Sequence, residues 1–306
     1  MQRFWDRKTL KERAKNLLRF TFWRTLATIA IEGAIIGAAV SLLTMPFVFI
    51  TVFSTLDMAF SGVDSAAGYV FVILGIILLM TALIFLAVIF ISGPLEVGRC
   101  RFLTACRYGD NSIKNLFFSF KSGIYMKTVK VMMFRNLKLF GWSLLYSLPI
   151  AVLGLLLGLT IGFADMGAMP ALGILLGILI FLAYIFMLIM IVRKSISYFM
   201  VPHIVAENPN IESRRVFEIS NRATKGEIGD IFVLGLSFIG WLMLASIVAM
   251  PLTFIVGPFS AIATFTVLVY IHATSAELYG ALRFKSAMLG IVKKEEIGIE
   301  HFNAQS

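Results

Sequence analysis

Charged residues are scarce in this chain of 306 residues, at 14% against 59% hydrophobic residues. Soluble domains carry about a quarter charged residues, and the mean hydropathy here is +0.91. An ordinary soluble domain is therefore excluded, and lipid is indicated as the solvent. The apolar runs are continuous rather than alternating, which favours membrane-spanning helices over the short alternating strands of a membrane barrel.

Lysine and arginine are absent from six apolar runs, each of which is long enough, or nearly so, to cross a bilayer as a helix. We therefore predict an all-α polytopic membrane protein with six transmembrane helices. The runs are Thr25 to Phe49, Tyr69 to Ile91, Leu139 to Phe163, Ala171 to Val192, Ile231 to Phe254, and Phe259 to about Ala276.

Lysine and arginine are also absent from alternate gaps between these runs. All 27 of them lie before run one, between runs two and three, between runs four and five, or after run six. The charged residues of the other gaps are Asp57, Asp64 and Asp165. Because positively charged loops stay on the cytoplasmic side, we predict three helical hairpins in the plasma membrane. Both termini are then cytoplasmic, with a six-span domain at residues 25–282 and a tail at 283–306.

Cysteine is nearly absent. Cys100 and Cys106 are the two in the chain, and thiols on the predicted cytoplasmic side stay reduced. Two cysteines six residues apart without a nearby histidine are weak evidence for a metal site. The sequence also lacks a zinc-binding His-Glu-x-x-His, a Gly-x-Ser-x-Gly elbow and a phosphate-binding loop. We therefore expect no metal, no cofactor and no enzymatic activity.

Two strongly basic segments flank the first two runs, at residues 1–24 and 93–138. In the first, apolar residues recur at helical spacing among the basic ones, so we expect an amphipathic helix lying at the membrane interface. The second repeats the pattern and adds an aromatic stretch, Asn115 to Phe120. Anionic lipid is the expected partner. Nucleic acid is not expected, because insertion already accounts for basic residues at the ends of runs. The apolar residues of the first segment are Leu10, Ala14, Leu17 and Leu18.

The cytoplasmic segment 193–230 differs because its charge is nearly balanced, with six basic and five acidic residues. A turn signal at residues 207–210 precedes an amphipathic helix that Gly226 could end. Insertion into the membrane does not require the charges of this segment. Two interpretations stay open: a solvated connector, or a surface that docks a protein partner. The candidate docking residues are Asn208, Pro209, Arg214 and Arg215.

Glu32 is the one carboxylate well inside an apolar run. An ionised group there costs several kcal/mol unless it is paired, hydrated or protonated, and such groups often mark ion or proton paths. His272, near the cytoplasmic end of run six, is the titratable partner that we expect. The alternative is that Glu32 and His272 have separate packing or interfacial roles.

Glycines repeat every four residues in three of the runs, and such strips let helices approach closely. We predict close helix pairs at these positions, within one chain or between copies in a homo-oligomer. Trp241, about ten residues into run five, is predicted to pack inside the bundle with its indole N–H on a polar acceptor. The glycines are Gly33 and Gly37, Gly154, Gly158 and Gly162, and Gly173 and Gly177.

The chain resembles a family of bacterial integral-membrane proteins catalogued as domain of unknown function 975. The resemblance implies a multi-span bacterial membrane protein and supplies no established activity or catalytic residue. Two positions depart from the family pattern: Glu207, where Asp is more usual, and Val269-Tyr270, where Pro-Tyr is usual. The matching segments are Gly93-Pro-Leu-Glu-Val-Gly98 with Phe102 and Gly109, Tyr198-Phe-Met-Val-Pro202, Ala206-Glu-Asn-Pro209 with Ser220 and Gly226, Leu236-Ser-Phe-Ile-Gly-Trp241, and Ala276-Glu-Leu-Tyr279 with Leu282.

Two functions remain on these grounds. The first is a non-enzymatic membrane scaffold or accessory protein that docks a partner or lipid through its cytoplasmic face. The second is a small-solute or proton-coupled transporter or channel that uses Glu32 and His272. The nearly balanced segment 193–230 favours the first, and the carboxylate inside run one favours the second.

Overall fold

The computed structural model describes residues 4–61, 66–162, 170–256, 261–293 and 296–297. All regular structure within these ranges is helical, which confirms the all-α prediction. A π-helical turn, Val88–Ser92, joins α2 to α3, and a 3-10 helix covers Ile113–Phe120. The α-helices are α1 Arg7–Ser61, α2 Ala66–Ala87, α3 Gly93–Cys106, α4 Tyr125–Gly162, α5 Pro170–Ser197, α6 Val201–Glu207, α7 Ser213–Thr224, α8 Ile228–Val256 and α9 Ala261–Met288.

The first helix runs through the expected boundary at residue 24 without a break. Asp6 caps its start, since the Asp6 carboxylate accepts the N–H groups of Lys8 and Thr9 at 3.0 and 3.4 Å. The apolar side chains of Leu10 and Ala14 are buried among other helices. A separate interfacial helix over residues 1–24 is therefore not confirmed, because protein, and not lipid, covers this apolar face.

The segment after run two is also part of the protein interior. Proline fits the first turn of a helix, so Pro94 lets the chain continue from α2 through the π-helical turn into α3. Leu95, Val97 and Phe102 of α3 are fully buried. The 3-10 helix packs on α3 where Gly98 lies, because a Cβ at Gly98 would stand 1.7 Å from the Leu116 carbonyl oxygen. A membrane-interface position for the second basic segment, including residues 115–120, stays a prediction.

Five helices are long and apolar enough to cross a membrane. Their most apolar windows are at most 22% buried, so their apolar side chains face outward along most of the length. The sixth predicted span falls in α9, which is not among the five, and it stays a prediction. The five helical stretches are Arg7–Leu56, Ile73–Cys106, Tyr125–Ile161, Ala171–Glu207 and Ile228–Pro251.

Helices that follow one another in the chain contact each other, as the hairpin prediction expects, but these contacts do not test the loops that would join them. Helix α1 contacts α2, α4 packs along α5, and α8 contacts α9. The connections at residues 62–65, 163–169 and 257–260 lie outside the described residues, as do Asp64, Asp165 and the side chain of Asp57. The three-hairpin arrangement and the side of the membrane on which each end lies therefore stay predictions.

The largest buried cluster lies where the basic segments meet. It joins side chains from the start of α1, from α3, α6 and α7, from the N-terminal parts of α4 and α8, and from the C-terminal part of α9, with Tyr198 just after α5. We call this part of the molecule the basic end. Helix α7 buries Val216, Ile219 and Ala223 there, and the turn after it uses Gly226 at φ +85°. That left-handed backbone favours glycine, and the prediction that Gly226 follows the helix end is confirmed.

Two predictions about packing along the apolar runs, the close contacts at the glycine strips and the burial of Trp241, are wrong within the chain. A Cβ at Gly37, Gly154, Gly158, Gly173 or Gly177 would meet no atom within 4 Å, whereas one at Gly33 would contact the Phe265 ring at 3.4 Å. The surroundings of Gly162 lie outside what the structure describes. Trp241 is 56% exposed, because the buried stripe of α8 follows Ile231, Leu234, Phe238 and Ala245, and Trp241 lies beside that stripe.

Candidate functional site

Arginines of the basic end turn inward and pair with glutamates of other helices. Arg99 of α3 donates from Nη1 to both carboxylate oxygens of Glu32 on α1, at 2.8 and 2.9 Å. Arg135 of α4 donates both Nη groups to Glu96 of α3, at 2.7 Å each. The Arg135 pair has the two parallel N–H···O bonds of a fork-to-fork contact, a strong form of charged hydrogen bond. Together the two pairs join α1, α3 and α4 to one another.

Three further pairs continue this arrangement. Arg107 lies 3.2 Å from Glu277, Arg283 pairs with Glu207, and Lys285 lies 2.5 Å from Glu227. Each joins helix α9 to another part of the basic end. The Arg283 guanidinium also donates to the Tyr108 hydroxyl at 2.8 Å. Gly280 gives Arg107 its room, since a Cβ there would stand 1.9 Å from the Arg107 Nη1 atom.

The hydrogen-bonded partner of Glu32 is thus Arg99 and not His272. The sequence interpretation ended the second span at Ile91 and placed Arg99 in an amphipathic interfacial segment after it. In the structure the helical path continues through α3, which brings Arg99 to the level of Glu32. The presence of Pro94 at a position that suits a first helical turn was the sequence signal for this continuation.

His272 instead lines a cavity of about 270 Å³ between α3, α4, α6 and α9. His203 lines it as well and stacks on Tyr279, with ring centroids 4.6 Å apart and an interplanar angle of 13°. Within the described ranges, neither imidazole has a hydrogen-bond partner. Arg99 belongs to this cavity and to the Glu32 pair, so it connects the two candidate residues without bringing them into contact. The other polar lining residues are Glu96, Arg135, Ser195, Tyr198 and Ser275.

Two of the four candidate docking residues already hold the end of this chain. Arg215 donates from Nε and Nη2 to Glu296 at 2.7 and 3.0 Å, and from Nη2 to the Ile291 carbonyl at 2.8 Å. Asn208 donates from Nδ2 to the Glu296 carbonyl at 3.0 Å. Hydrogen bonds from Arg215 hold the pKa of Glu296 below its ordinary value. Arg214 is exposed and Pro209 is half-buried.

Many cations of the basic end face outward instead. The side chains of Lys114, Lys121 and Lys130 are exposed, and no described carboxylate forms a salt bridge with them. Large aromatic side chains are exposed beside basic residues of α1: Phe20 is 88% exposed next to Arg19, and Trp23 is 77% exposed next to Arg24. Exposed cations and exposed aromatic rings therefore occur together outside the ion-paired interior.

Cys100 and Cys106 are buried free thiols. Burial of both side chains separates them from solvent, and they form no disulfide with one another. Among the residues that the structure describes, no group of three histidine, cysteine, aspartate or glutamate side chains could hold a metal ion. The chemistry that the basic end displays is charge pairing and hydrogen bonding.

Comparison with known proteins gives one match. A family model described as "Protein of unknown function (DUF975)" matches residues 4–286. No curated protein and no solved structure matches the chain. The ion pairs named above for the described residues lie within the matched range, apart from the partly buried Arg215–Glu296 pair, whose glutamate lies beyond residue 286.

Proposed function

From the premise that this chain belongs to the DUF975 family of proteins of unknown function, we propose that it is a non-enzymatic multi-pass scaffold of the plasma membrane. Its basic end binds the anionic cytoplasmic surface of the bilayer. The observation that carries this proposal is the division of the cations. Arg99, Arg107 and Arg135 are neutralised by glutamates, whereas several exposed lysines have no carboxylate partner among the described residues.

The division matters because a cation already paired with a glutamate contributes little to lipid binding. An unpaired lysine near an anionic leaflet contributes about 1 kcal/mol of attraction. Lys114, Lys121 and Lys130 belong to this second class. Exposed Phe20 and Trp23 add side chains of the type that is enriched at membrane interfaces. Charge and aromatic exposure together support attachment of the basic end to a lipid surface.

Lipid selectivity of the reconstituted protein tests the proposal. Spin-labelled phosphatidylglycerol and phosphatidylcholine report, by electron paramagnetic resonance, how much the protein prefers the anionic lipid. We expect several-fold preference for phosphatidylglycerol, weakening with salt because exposed charges are screened. Replacing Lys114, Lys121 and Lys130 together with glutamine should reduce the preference, and replacing them with arginine should preserve it. An equal preference in all three proteins would overturn the proposal.

The cavity supports a second candidate function, a carrier for a small polar solute. Its two imidazoles have no hydrogen-bond partners in the described chain, and its arginines are held in place by Glu32 and Glu96. Liposomes that contain the pure protein provide the test. Proton or solute flux that disappears with His272→Gln, while the helical content stays unchanged, would favour the carrier over the scaffold. Vesicles without flux would remove the carrier from consideration.

A further inference from the structure

The end of the chain returns to the surface of α6 and α7 at the basic end. We call residues 291–297 the tail segment, of which 291–293 and 296–297 are described. Glu296 supplies its carboxylate to Arg215 and its backbone carbonyl to Asn208. The Ile291 carbonyl accepts a further bond from Arg215. One side chain, Arg215, thus holds the tail segment at two positions five residues apart.

An apolar contact accompanies these polar ones. Ile297, directly after Glu296, is 2% exposed, and Val292 packs against the large buried cluster. The backbone N–H of Lys293 donates to the Glu296 carboxylate at 2.9 Å, which fixes the turn between the two apolar residues. The surface therefore recognises a glutamate followed by an aliphatic residue.

The family model matches the surface residues but not the tail segment that covers them. Asn208 and Arg215 lie within residues 4–286, which the family model matches, whereas the tail segment lies beyond that range. The surface is thus part of the common family region, and the tail segment is an addition to it. A surface of this kind can accept an equivalent segment from another chain.

We propose that Asn208 and Arg215 form a docking site for a turn-forming peptide segment of a partner protein, in which a glutamate precedes an aliphatic residue. The chain's own tail segment occupies this site until such a partner displaces it. Tethering gives the tail segment an effective concentration in the millimolar range, so a free peptide competes poorly with an intact tail. The proposal concerns protein recognition and does not depend on lipid binding.

A peptide with the sequence of residues 291–300, labelled with a fluorophore, tests this on the full chain in detergent. Fluorescence anisotropy measures its binding to the unmodified protein and to a protein carrying Glu296→Ala and Ile297→Ser, whose own tail is weakened. We expect roughly 10- to 100-fold tighter binding to the second protein, since charged hydrogen bonds are lost from the competing tail. A peptide with the same two substitutions is the control ligand.

Matched substitutions at neighbouring arginines locate the site. In the tail-weakened protein, Arg215→Gln should reduce peptide affinity at least tenfold, whereas Arg214→Gln, at an exposed arginine, should leave it unchanged. Asn208→Ala provides an independent second variant, and circular dichroism shows whether each variant is folded. Equal binding to the unmodified and tail-weakened proteins would overturn the proposal. So would an equal effect of the two arginine substitutions, which would indicate attraction by net charge alone.

Discussion

The positive charge of this chain is divided between two environments. Arg99, Arg107 and Arg135 point into the basic end and pair with glutamates, as Lys285 does with Glu227, whereas several lysines and Arg214 are exposed. The planar guanidinium matches both oxygens of a carboxylate, and it is less strongly hydrated than an ammonium group. Side-chain geometry therefore suits arginine to most of the paired positions.

Glu32 gives the sharpest prediction at the residue scale. Glu32→Gln leaves the Arg99 guanidinium buried without a counter-charge, so the free energy of unfolding should fall by about 3 to 5 kcal/mol. Glu218→Gln is the control, because Glu218 lies at the surface, where it pairs with Arg215 and Arg222, and such pairs contribute less than about 1 kcal/mol each. Thermal unfolding in detergent measures both. Equal stability of the two variants would show that the Glu32 pair is not a stabilising contact.

Helices approach closely at the basic end and not at the glycine strips of the apolar runs. Gly98 and Gly280 face other segments within a distance that no side chain tolerates, whereas Gly154 and Gly158 face open space. The contact between α3 and the 3-10 helix therefore requires glycine, which has no side chain, at position 98. The glycine strips of α4 and α5 contribute no such contact within the chain.

A pair of alanine substitutions tests this difference between helices. Gly98→Ala should destabilise the protein by about 1 to 3 kcal/mol or more, because its Cβ overlaps the Leu116 carbonyl and the backbone has to shift. Gly154→Ala should leave stability unchanged or raise it by up to about 1 kcal/mol, since alanine favours the helix. Unfolding temperature in detergent distinguishes them. Strong destabilisation by Gly154→Ala would indicate a contact between copies of the chain.

The whole molecule has its tight core at one end and apolar helix surfaces over the rest. The buried cluster collects side chains from the start of α1, from α3 and from the segments after α5 and before α8, which all carry basic residues. The most apolar windows of the five candidate spans are, by contrast, mostly unburied. Lipid is the expected environment for those surfaces, and the ion-paired core positions the helices that enter it.

Thiol labelling tests the predicted orientation of the whole molecule. A single cysteine placed at Asp64 or at Asp165 should react with a membrane-impermeant thiol reagent added outside intact cells. One placed at Ser213, at the start of α7, should react after the cells are opened. Cys100 and Cys106 are buried, so they should give little background. Labelling of Ser213→Cys from outside, with protection of the other two, would reverse the orientation.

The helical class could be predicted because the hydropathy of each segment by itself determines whether that segment prefers lipid to water. The family resemblance, quoted on segments such as residues 93–98 and 198–202, is confirmed by the match over residues 4–286. The position of Gly226 after α7 followed from local turn chemistry. The burial of Leu10 and Phe102 did not follow, because an amphipathic face looks the same whether lipid or protein covers it.

The amino-acid sequence by itself determined that the chain forms long apolar helices with its basic residues kept at their ends. Both properties depend on the transfer of individual side chains between water and an apolar medium. The tertiary structure alone decided that Arg99 pairs with Glu32, that Trp241 faces outward, and that Arg215 holds Glu296. These depend on distances between residues far apart in sequence, and local composition carries no information on such distances.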